Sequence, residues 1–297
     1  MITLEGLHKS YGKVKALDDL SLKVEKGTLY GLIGPDGAGK TTLFRILSGL
    51  ILADDGKASV NGLDCNRDYK KIRRIIGYMP QRFSLYADLS VYENLRFFAT
   101  IYGTSIEANY HLIRDVYKDL EPFKDRKARD LSGGMKQKLA LSCALIHKPE
   151  VLLLDEPTTG VDPVSRKDFW DILIRLKNEG LTTLVSTPFM NDAELCDEVA
   201  LIQKGKLLTV DTPDRISRLL PHKLFSVVTD NNFESLEHLK YAEGVLSVFS
   251  FGKAIHVTVK EGFDPENISR VLEKENIKTL EIKEISANVE DVFMYLM

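Results

Sequence analysis

Nine consecutive residues, Gly34-Pro35-Asp36-Gly37-Ala38-Gly39-Lys40-Thr41-Thr42, restrict what this chain can fold into more than any other feature. They fit the pattern G-x-x-x-x-G-K-[ST]. Glycines let backbone N–H groups curl around phosphate oxygens, the lysine neutralises the outer phosphates, and the threonine hydroxyl reaches a metal ion. Such a loop works only between a strand that delivers it and a helix whose positive N-terminal end faces the anion. Residues 28–33 read as that strand and residues 41–50 as that helix. The expected class is therefore α/β, with the loop at the carboxyl end of a buried strand.

The rest of the chain follows this scheme. Residues 1–9 and 16–24 alternate and read as short strands, separated from the loop's own strand by the turn Glu25-Lys26-Gly27. Residues 59–63 and 75–79 read as two more short strands. From 87 to 148 the pattern turns helical: Leu89, Tyr92, Leu95, Arg96 and Ala99 recur at a spacing of three and four, and 112–120 and 135–146 continue it. Val151-Leu152-Leu153-Leu154 is a continuous apolar run, as expected of a parallel strand buried on both faces. Residues 182–186 and 199–203 read as further strands, with helices over 166–179 and 190–196 between them. Strands alternating with helices imply a mostly parallel sheet covered on both faces.

The character changes near residues 213–221. Beyond them the expected order is strand 223–229, helix 233–239, strand 245–251, strand 254–259, helix 265–273, strand 279–284 and a last helix 289–296, with Gly252-Lys253 at a hairpin turn. The order β-α-β-β-α-β is that of a ferredoxin-like domain. A chain of 297 residues holds two domains comfortably.

Two more motifs narrow the class. Leu154-Asp155-Glu156-Pro157 places two carboxylates at the end of the central apolar strand, where ligands of open α/β sheets bind. Asp155 is positioned to hold Mg²⁺ and Glu156 to act as general base on an attacking water. Leu131-Ser132-Gly133-Gly134-Met135 opens a helix, and the Ser132 hydroxyl with the amides of Gly133 and Gly134 makes a second anion site.

This last run resembles the signature of the ATP-binding-cassette (ABC) proteins, and the resemblance covers residues 1 to about 215. It implies a P-loop ATPase with a mostly parallel sheet, an antiparallel β subdomain and a helical subdomain at about 83–148, followed by a small C-terminal α+β ferredoxin-like domain over 216–297. It implies ATP and Mg²⁺ as ligands. By the same resemblance Tyr11 stacks on adenine, and Gly34 through Thr42 hold the phosphates. Lys40, Gln81 and Glu156 are the catalytic residues. Thr41, Gln81 and Asp155 serve the metal, and Asp162 lies in the D-loop that contacts a second subunit. Leu131 through Met135 then close over the partner's nucleotide, so that two ATP molecules are sandwiched in a head-to-tail dimer. The opening Thr3-Leu4-Glu5-Gly6-Leu7-His8-Lys9-Ser10-Tyr11-Gly12 and the ending Ala287-Asn288-Val289-Glu290-Asp291-Val292-Phe293 are similar to those of drug- and polysaccharide-type exporter subunits. That likeness implies separate integral membrane permease subunits as partners and a cytoplasmic location, peripheral on the inner face of the cell membrane. A soluble ABC protein of another class and a weakly hydrolysing regulatory subunit are the alternatives.

One position departs from the pattern. After residues 182–185 the chain reads Ser186-Thr187-Pro188-Phe189-Met190, with Pro188 where the family carries its switch histidine. Proline has neither a side-chain donor nor an N–H. The expectation is a slow site in this subunit and a heterodimer with a histidine-bearing partner in preference to a homodimer.

Composition excludes other classes. A net charge of −3 argues against a general attraction to nucleic acid, leaving Lys70-Lys71-Ile72-Arg73-Arg74 as the best local candidate for an anionic partner and otherwise a solvated helix face. Three dispersed cysteines suggest neither a disulfide framework nor a zinc site. No apolar stretch approaches the roughly 20 residues of a membrane-spanning helix, and the first residues lack the regions of a signal peptide. His222 and His256 read as isolated.

Overall fold

Two sheets meet around the phosphate loop. The computed structural model describes all 297 residues, which divide into a unit spanning Met1–Pro213 and another spanning Asp214–Met297. In the first unit, the alternating N-terminal segments pair as an antiparallel hairpin, β1 (Ile2–Tyr11) with β2 (Val14–Val24). β3 (Leu29–Ile33), buried at every position, leads into the loop, and α1 (Lys40–Leu47) leads out of it. β4 (Asp55–Val60) then returns to the free edge of β1, and β5 (Leu63–Asp64) completes a sheet of order β2-β1-β4-β5.

The second sheet is the one that carries chemistry. Its remaining strands are β6 (Ile76–Met79), β7 (Val151–Asp155), β8 (Thr182–Thr187), β9 (Glu198–Gln203) and β10 (Lys206–Asp211), in the order β10-β9-β3-β8-β7-β6. The strands from β9 to β6 run parallel, and only the edge strand β10 is antiparallel. Parallel pairing brings the carboxyl ends of β3, β6, β7 and β8 to one edge, so Gly34, Gln81, Glu156 and Pro188 all follow strands that end there. The core between the two sheets is filled from both and from α1, with Leu4, Leu20, Phe44, Leu47, Leu153 and Leu184 all at most 2% exposed.

The helical layer comprises α2 (Tyr69–Ile75), α3 (Val91–Ile101), α4 (Ile106–Tyr117), α5 (Gly133–Leu145) and α6 (Pro163–Asn178). Local chemistry sets their starts. Ser90 and Glu93 cap α3 reciprocally, Ser105 caps α4, Ser132 caps α5, and Asp162 with Pro163 starts α6. Asn94 is fully buried, yet it bonds the carbonyls of Tyr86, Leu89 and Ser90 and accepts from Tyr86 N, so it pins the segment before α3.

Two local expectations give way, and one strand was unforeseen. A strand over 59–63 would run through Asn61-Gly62, whose φ angles of 51° and 77° make the tight turn between β4 and β5. Residues 190–196 form a 3-10 segment, Met190–Leu195, rather than an α-helix. β10 was not foreseen: half-buried, with Leu207, Leu208 and Val210 set among charged and polar residues, it is an edge strand reached through the turn Lys204-Gly205.

The second unit, entered through α7 (Pro213–Ser217), contains β11 (Lys223–Thr229), α8 (Asn232–Leu239), β12 (Val245–Phe251), β13 (Ala254–Val259), α9 (Glu266–Lys274), β14 (Thr279–Ile285) and α10 (Val289–Leu296). Its antiparallel sheet has the order β12-β13-β11-β14. Phe225, Val227, Ile255, Val257, Leu239 and Ile268 form its core. His256 is not isolated: its Nδ1 lies 2.7 Å from Asp291 Oδ1, and its ring stacks on Phe251 at 3.9 Å. Asp291 also caps α10 in a reciprocal box with Asn288, which ties β13 to the start of that helix. His222 meets the Tyr295 ring edge-on at 5.9 Å.

Candidate functional site

Backbone approach, not conformational freedom alone, explains the glycines of the loop. A Cβ at Gly34 would lie 2.1 Å from Ile202 O, and one at Gly39 (φ 109°) 2.3 Å from Ala16 O. At Gly37 (φ 77°) a Cβ would meet nothing within 4 Å, so this turn faces open space. A cavity of about 310 Å³ opens there, lined by residues 36–42 with Tyr11, Gln81 and Glu156. Tyr11, at the tip of the β1–β2 hairpin, is 49% exposed with Lys9 over its ring.

Lys40 is only 3% exposed, so its ammonium must be satisfied within the protein. Nζ donates to Gly34 O at 2.6 Å and to Pro35 O at 2.9 Å, and it pairs with Glu156 Oε1 at 3.0 Å. The other oxygen of Glu156 accepts from Gln81 Nε2 at 2.8 Å and from the Thr159 hydroxyl at 3.3 Å. Four side chains from three segments thus meet over the loop. Glu156 has φ 51°, left-handed backbone that strains a non-glycine residue by on the order of 1–3 kcal/mol. Its N–H bonds to Ser186, to the carbonyl at 3.2 Å and the hydroxyl at 3.0 Å, and these bonds hold the turn.

Asp155, fully buried at the end of β7, receives the Ser186 hydroxyl on Oδ1 at 2.9 Å. Oδ2 has no hydrogen-bond partner. Burial pushes the carboxyl above its ordinary range, an effect opposed by Ser186 and by the nearby Thr41 hydroxyl. A buried carboxylate oxygen without a partner is costly unless a cation or donor arrives to use it. No three His, Cys, Asp or Glu side chains converge anywhere to make a protein-only metal cage.

The second anion motif is built but lies elsewhere. Ser132 caps α5 by accepting from Met135 N at 3.3 Å, and the exposed Gly133 starts the helix. Gly134 packs so closely on α6 that a Cβ would lie 2.6 Å from Ser165 Cβ. Leu131 is buried. None of these residues lines the cavity of the phosphate loop. Asp162 accepts from Ser165 N at 3.0 Å, and that bond holds its carboxyl below the usual range.

Around Pro188 the structure shows residues that the motifs did not flag. Thr187 Oγ1 donates to the buried Asp192 at 2.7 Å and accepts from Phe189 N at 3.1 Å. Arg166 pairs with Asp192 at 2.6 Å and stacks over the Phe189 ring at 3.9 Å. Arg166 lies one turn beyond Asp162, so α6 is anchored to the segment carrying Pro188. Arg166 and Asp192 are separated in sequence and share no motif, and Thr159 and Ser186 are ordinary members of their segments. Only the fold makes them neighbours of the site.

A parallel sheet with a phosphate loop at its switch edge, crossed by an antiparallel sheet, defines a P-loop ATPase fold. A family model described as ABC transporter matches residues 17–159. The probable multidrug ABC transporter ATP-binding protein YbhF of Escherichia coli (strain K12) is 37% identical over 303 residues, spanning 100% of this chain and 52% of its own length. The chain thus spans about half the length of that relative. The daunorubicin resistance ATP-binding protein DrrA2 of Streptomyces coeruleorubidus is 33% identical, covering 99% of this chain and 94% of its own. Among solved structures, the dimeric post-hydrolysis state of the ATP-binding cassette MJ0796 bound to ADP and Pi superposes with a TM-score of 0.65 at 26% identity, covering 71% of this chain and 98% of that one. The chain belongs to the ABC transporter family, among its ATP-binding proteins.

Proposed function

We propose that this chain is the ATP-binding and ATP-hydrolysing motor subunit of a membrane exporter. It works as a head-to-tail dimer with separate membrane subunits, and its own ATP site turns over slowly. The observation that carries the reading is the convergence of Lys40, Gln81 and Glu156 over the loop at the carboxyl edge of the sheet, with Asp155 buried beside Thr41. The names of relatives support the exporter assignment, as multidrug and daunorubicin resistance proteins. No helix is long and apolar enough to cross a membrane.

The residues divide the work. Loop amides and the N-terminus of α1 receive phosphate oxygens, and Lys40 exchanges its present carbonyl and carboxylate partners for them. Asp155 Oδ2, Thr41 and Gln81 fit a Mg²⁺ ion, whose charge would offset that of the phosphates. Glu156 takes the proton of the attacking water, with Gln81 and Thr159 orienting it. Pro188 supplies no donor toward the outer phosphate. Losing one such donor lowers turnover on the order of 10²–10³-fold. The signature loop at 131–135, whose Ser132 and Gly133 are exposed away from this cavity, serves the nucleotide of the other subunit, which favours a histidine-bearing partner over a second copy. A groove lined by Met79, Phe83, Phe98, Tyr102 and His147, beside Gln81, faces the membrane subunits.

The test compares ATPase rates of the wild type and Pro188→His, each alone. The expected result is slow turnover in the wild type and a rise of at least tenfold with histidine. Wild-type turnover of roughly 1 s⁻¹ or more, unchanged by histidine, removes the slow-site reading. Absence of ATP-dependent hydrolysis under every pairing removes the motor assignment.

A further inference from the structure

One buried hydroxyl touches both acidic residues that follow β7's apolar run, and no motif accounts for it. Ser186, near the end of β8, is fully buried. β8 lies between β3 and β7, and the parallel register sets Ser186 beside Leu32 on one side and Asp155 on the other. Leu184 and Val185 before it are apolar and fully buried, so a hydroxyl here loses water and needs protein partners.

A serine hydroxyl has one hydrogen to give and lone pairs to accept with. Glu156 N–H donates to Ser186 Oγ at 3.0 Å, which leaves the single hydroxyl hydrogen for Asp155 Oδ1 at 2.9 Å. The carbonyl of Ser186 also accepts from Glu156 N, at 3.2 Å, and this backbone bond persists whatever side chain stands at 186. The hydroxyl therefore adds two things: a second acceptor for the strained turn at Glu156 and a donor to the carboxylate. With Oδ1 engaged, Oδ2 is the oxygen left without a protein partner. The next residues extend the arrangement. Thr187 O accepts from Gly34 N at 3.3 Å, and Pro188 restricts Thr187 to extended backbone. Consecutive residues of β8 thus reach the phosphate loop and both acids.

We infer that Ser186 is a positioning residue of the ATP site. Its hydroxyl holds Asp155 through Oδ1 so that Oδ2 stays available to a metal ion, and the same oxygen steadies the turn that places Glu156. One atom thereby sets the metal carboxylate and the base relative to each other. A hydroxyl of structural value only would contribute to stability and leave the metal affinity of the folded protein unchanged. The inference rests on the ATPase reading above, but metal binding is measurable without hydrolysis.

The experiment titrates Mn²⁺, a stand-in for Mg²⁺ followed by electron paramagnetic resonance, into the full chain holding adenylyl imidodiphosphate, an ATP analogue that is not hydrolysed. Binding of the analogue with chelator present is measured alongside. Losing a hydrogen bond to a charged group should weaken metal binding on the order of 10–100-fold in Ser186→Ala. Ser186→Cys should behave similarly, since a thiol is a weak donor. Ser186→Thr keeps the hydroxyl and should restore most of the affinity. Thr183→Val is the control: it removes another buried hydroxyl of β8, one that bonds nothing, and should bind metal as the wild type does. Metal-free binding of the analogue should be unchanged in all these variants, because the loop amides and Lys40 are untouched. At saturating metal, Ser186→Ala should still lower kcat about two- to tenfold with KM unchanged, since Glu156 N keeps only its carbonyl bond. Wild-type metal affinity in Ser186→Ala, an equal loss in Thr183→Val, no recovery with threonine at an unchanged melting temperature, or a parallel loss of metal-free binding overturns the inference. A wild type that binds neither the analogue nor the metal removes the ATPase reading, and this inference with it.

Discussion

Replacing Glu156 with glutamine should destabilise the nucleotide-free protein and make ATP a stronger stabiliser of the variant than of the wild type. Lys40 Nζ has three acceptors at 2.6, 2.9 and 3.0 Å, and only the last, Glu156, carries a formal charge. Both side chains are nearly excluded from water, at 3% and 4% exposure. Deleting one partner of a buried pair outright costs about 3–5 kcal/mol. Glutamine keeps an oxygen facing Lys40, and the two carbonyls remain, so the loss falls to about 1–2 kcal/mol. In a unit of this size each kcal/mol moves the midpoint by about 2–4 °C, which gives a fall of about 2–8 °C. Phosphate then supplies the missing negative charge in the variant, whereas in the wild type it must displace a carboxylate. ATP should bind the variant about 5–30-fold more tightly, while hydrolysis drops on the order of 10²–10⁴-fold with loss of the base. Differential scanning calorimetry with and without ATP, together with a direct titration, measures both halves. An unchanged melting point without nucleotide, with an ATP-induced shift no larger than that of the wild type, would show that the Lys40–Glu156 pair does not hold the empty site together.

Further outcomes follow from neighbouring geometry. Burial raises the Asp155 carboxyl above 3.8, so between 3.8 and its folded value the native state binds more protons than the unfolded chain. Stability falls as pH rises through that window. Asp155→Asn should therefore raise the melting point, with the gain growing as pH rises above 3.8 and vanishing below it, and abolish metal-dependent turnover. Burial lowers His147 below 6.5, so the native state binds fewer protons than the unfolded chain, and stability is lost as pH falls through 6.5. His147→Asn should flatten that acid-side decline in a pH series of chemical denaturation. At Gly134 an alanine Cβ would lie 2.6 Å from Ser165, and overpacking of this kind costs about 1–3 kcal/mol. At Gly133 the nearest atom is Gly160 O at 3.6 Å, so Gly133→Ala should melt like the wild type while Gly134→Ala melts several degrees lower. Equal melting points for the two would show that the α5–α6 contact is looser than drawn.

Much of the fold was legible because its signals are local. The elements of the second unit fall within a residue or two of their expected positions, since alternation and a glycine at the Gly252-Lys253 turn specify a hairpin directly. β10 escaped because an edge strand needs no apolar run. The expected strand over 59–63 crosses a turn because apolar residues flank Asn61-Gly62, whose positive φ angles fold the chain back. Residues 190–196 have helical composition, but Asp192 is drawn into the Arg166 pair and the segment closes as 3-10 turns.

By itself the sequence determined the phosphate loop, the carboxylates after β7, the capped glycine pair before α5 and the family to which they belong. Each is a short run whose backbone chemistry requires those residues at that spacing. Only the tertiary structure decided which side chains the motifs would meet. Lys40 binds Glu156, Thr187 and Arg166 share Asp192, and His256 finds Asp291. Each of these contacts joins different segments, and it exists because sheet pairing brings strand ends together. No local pattern encodes that pairing, because the energy that selects it comes from burying whole faces at once.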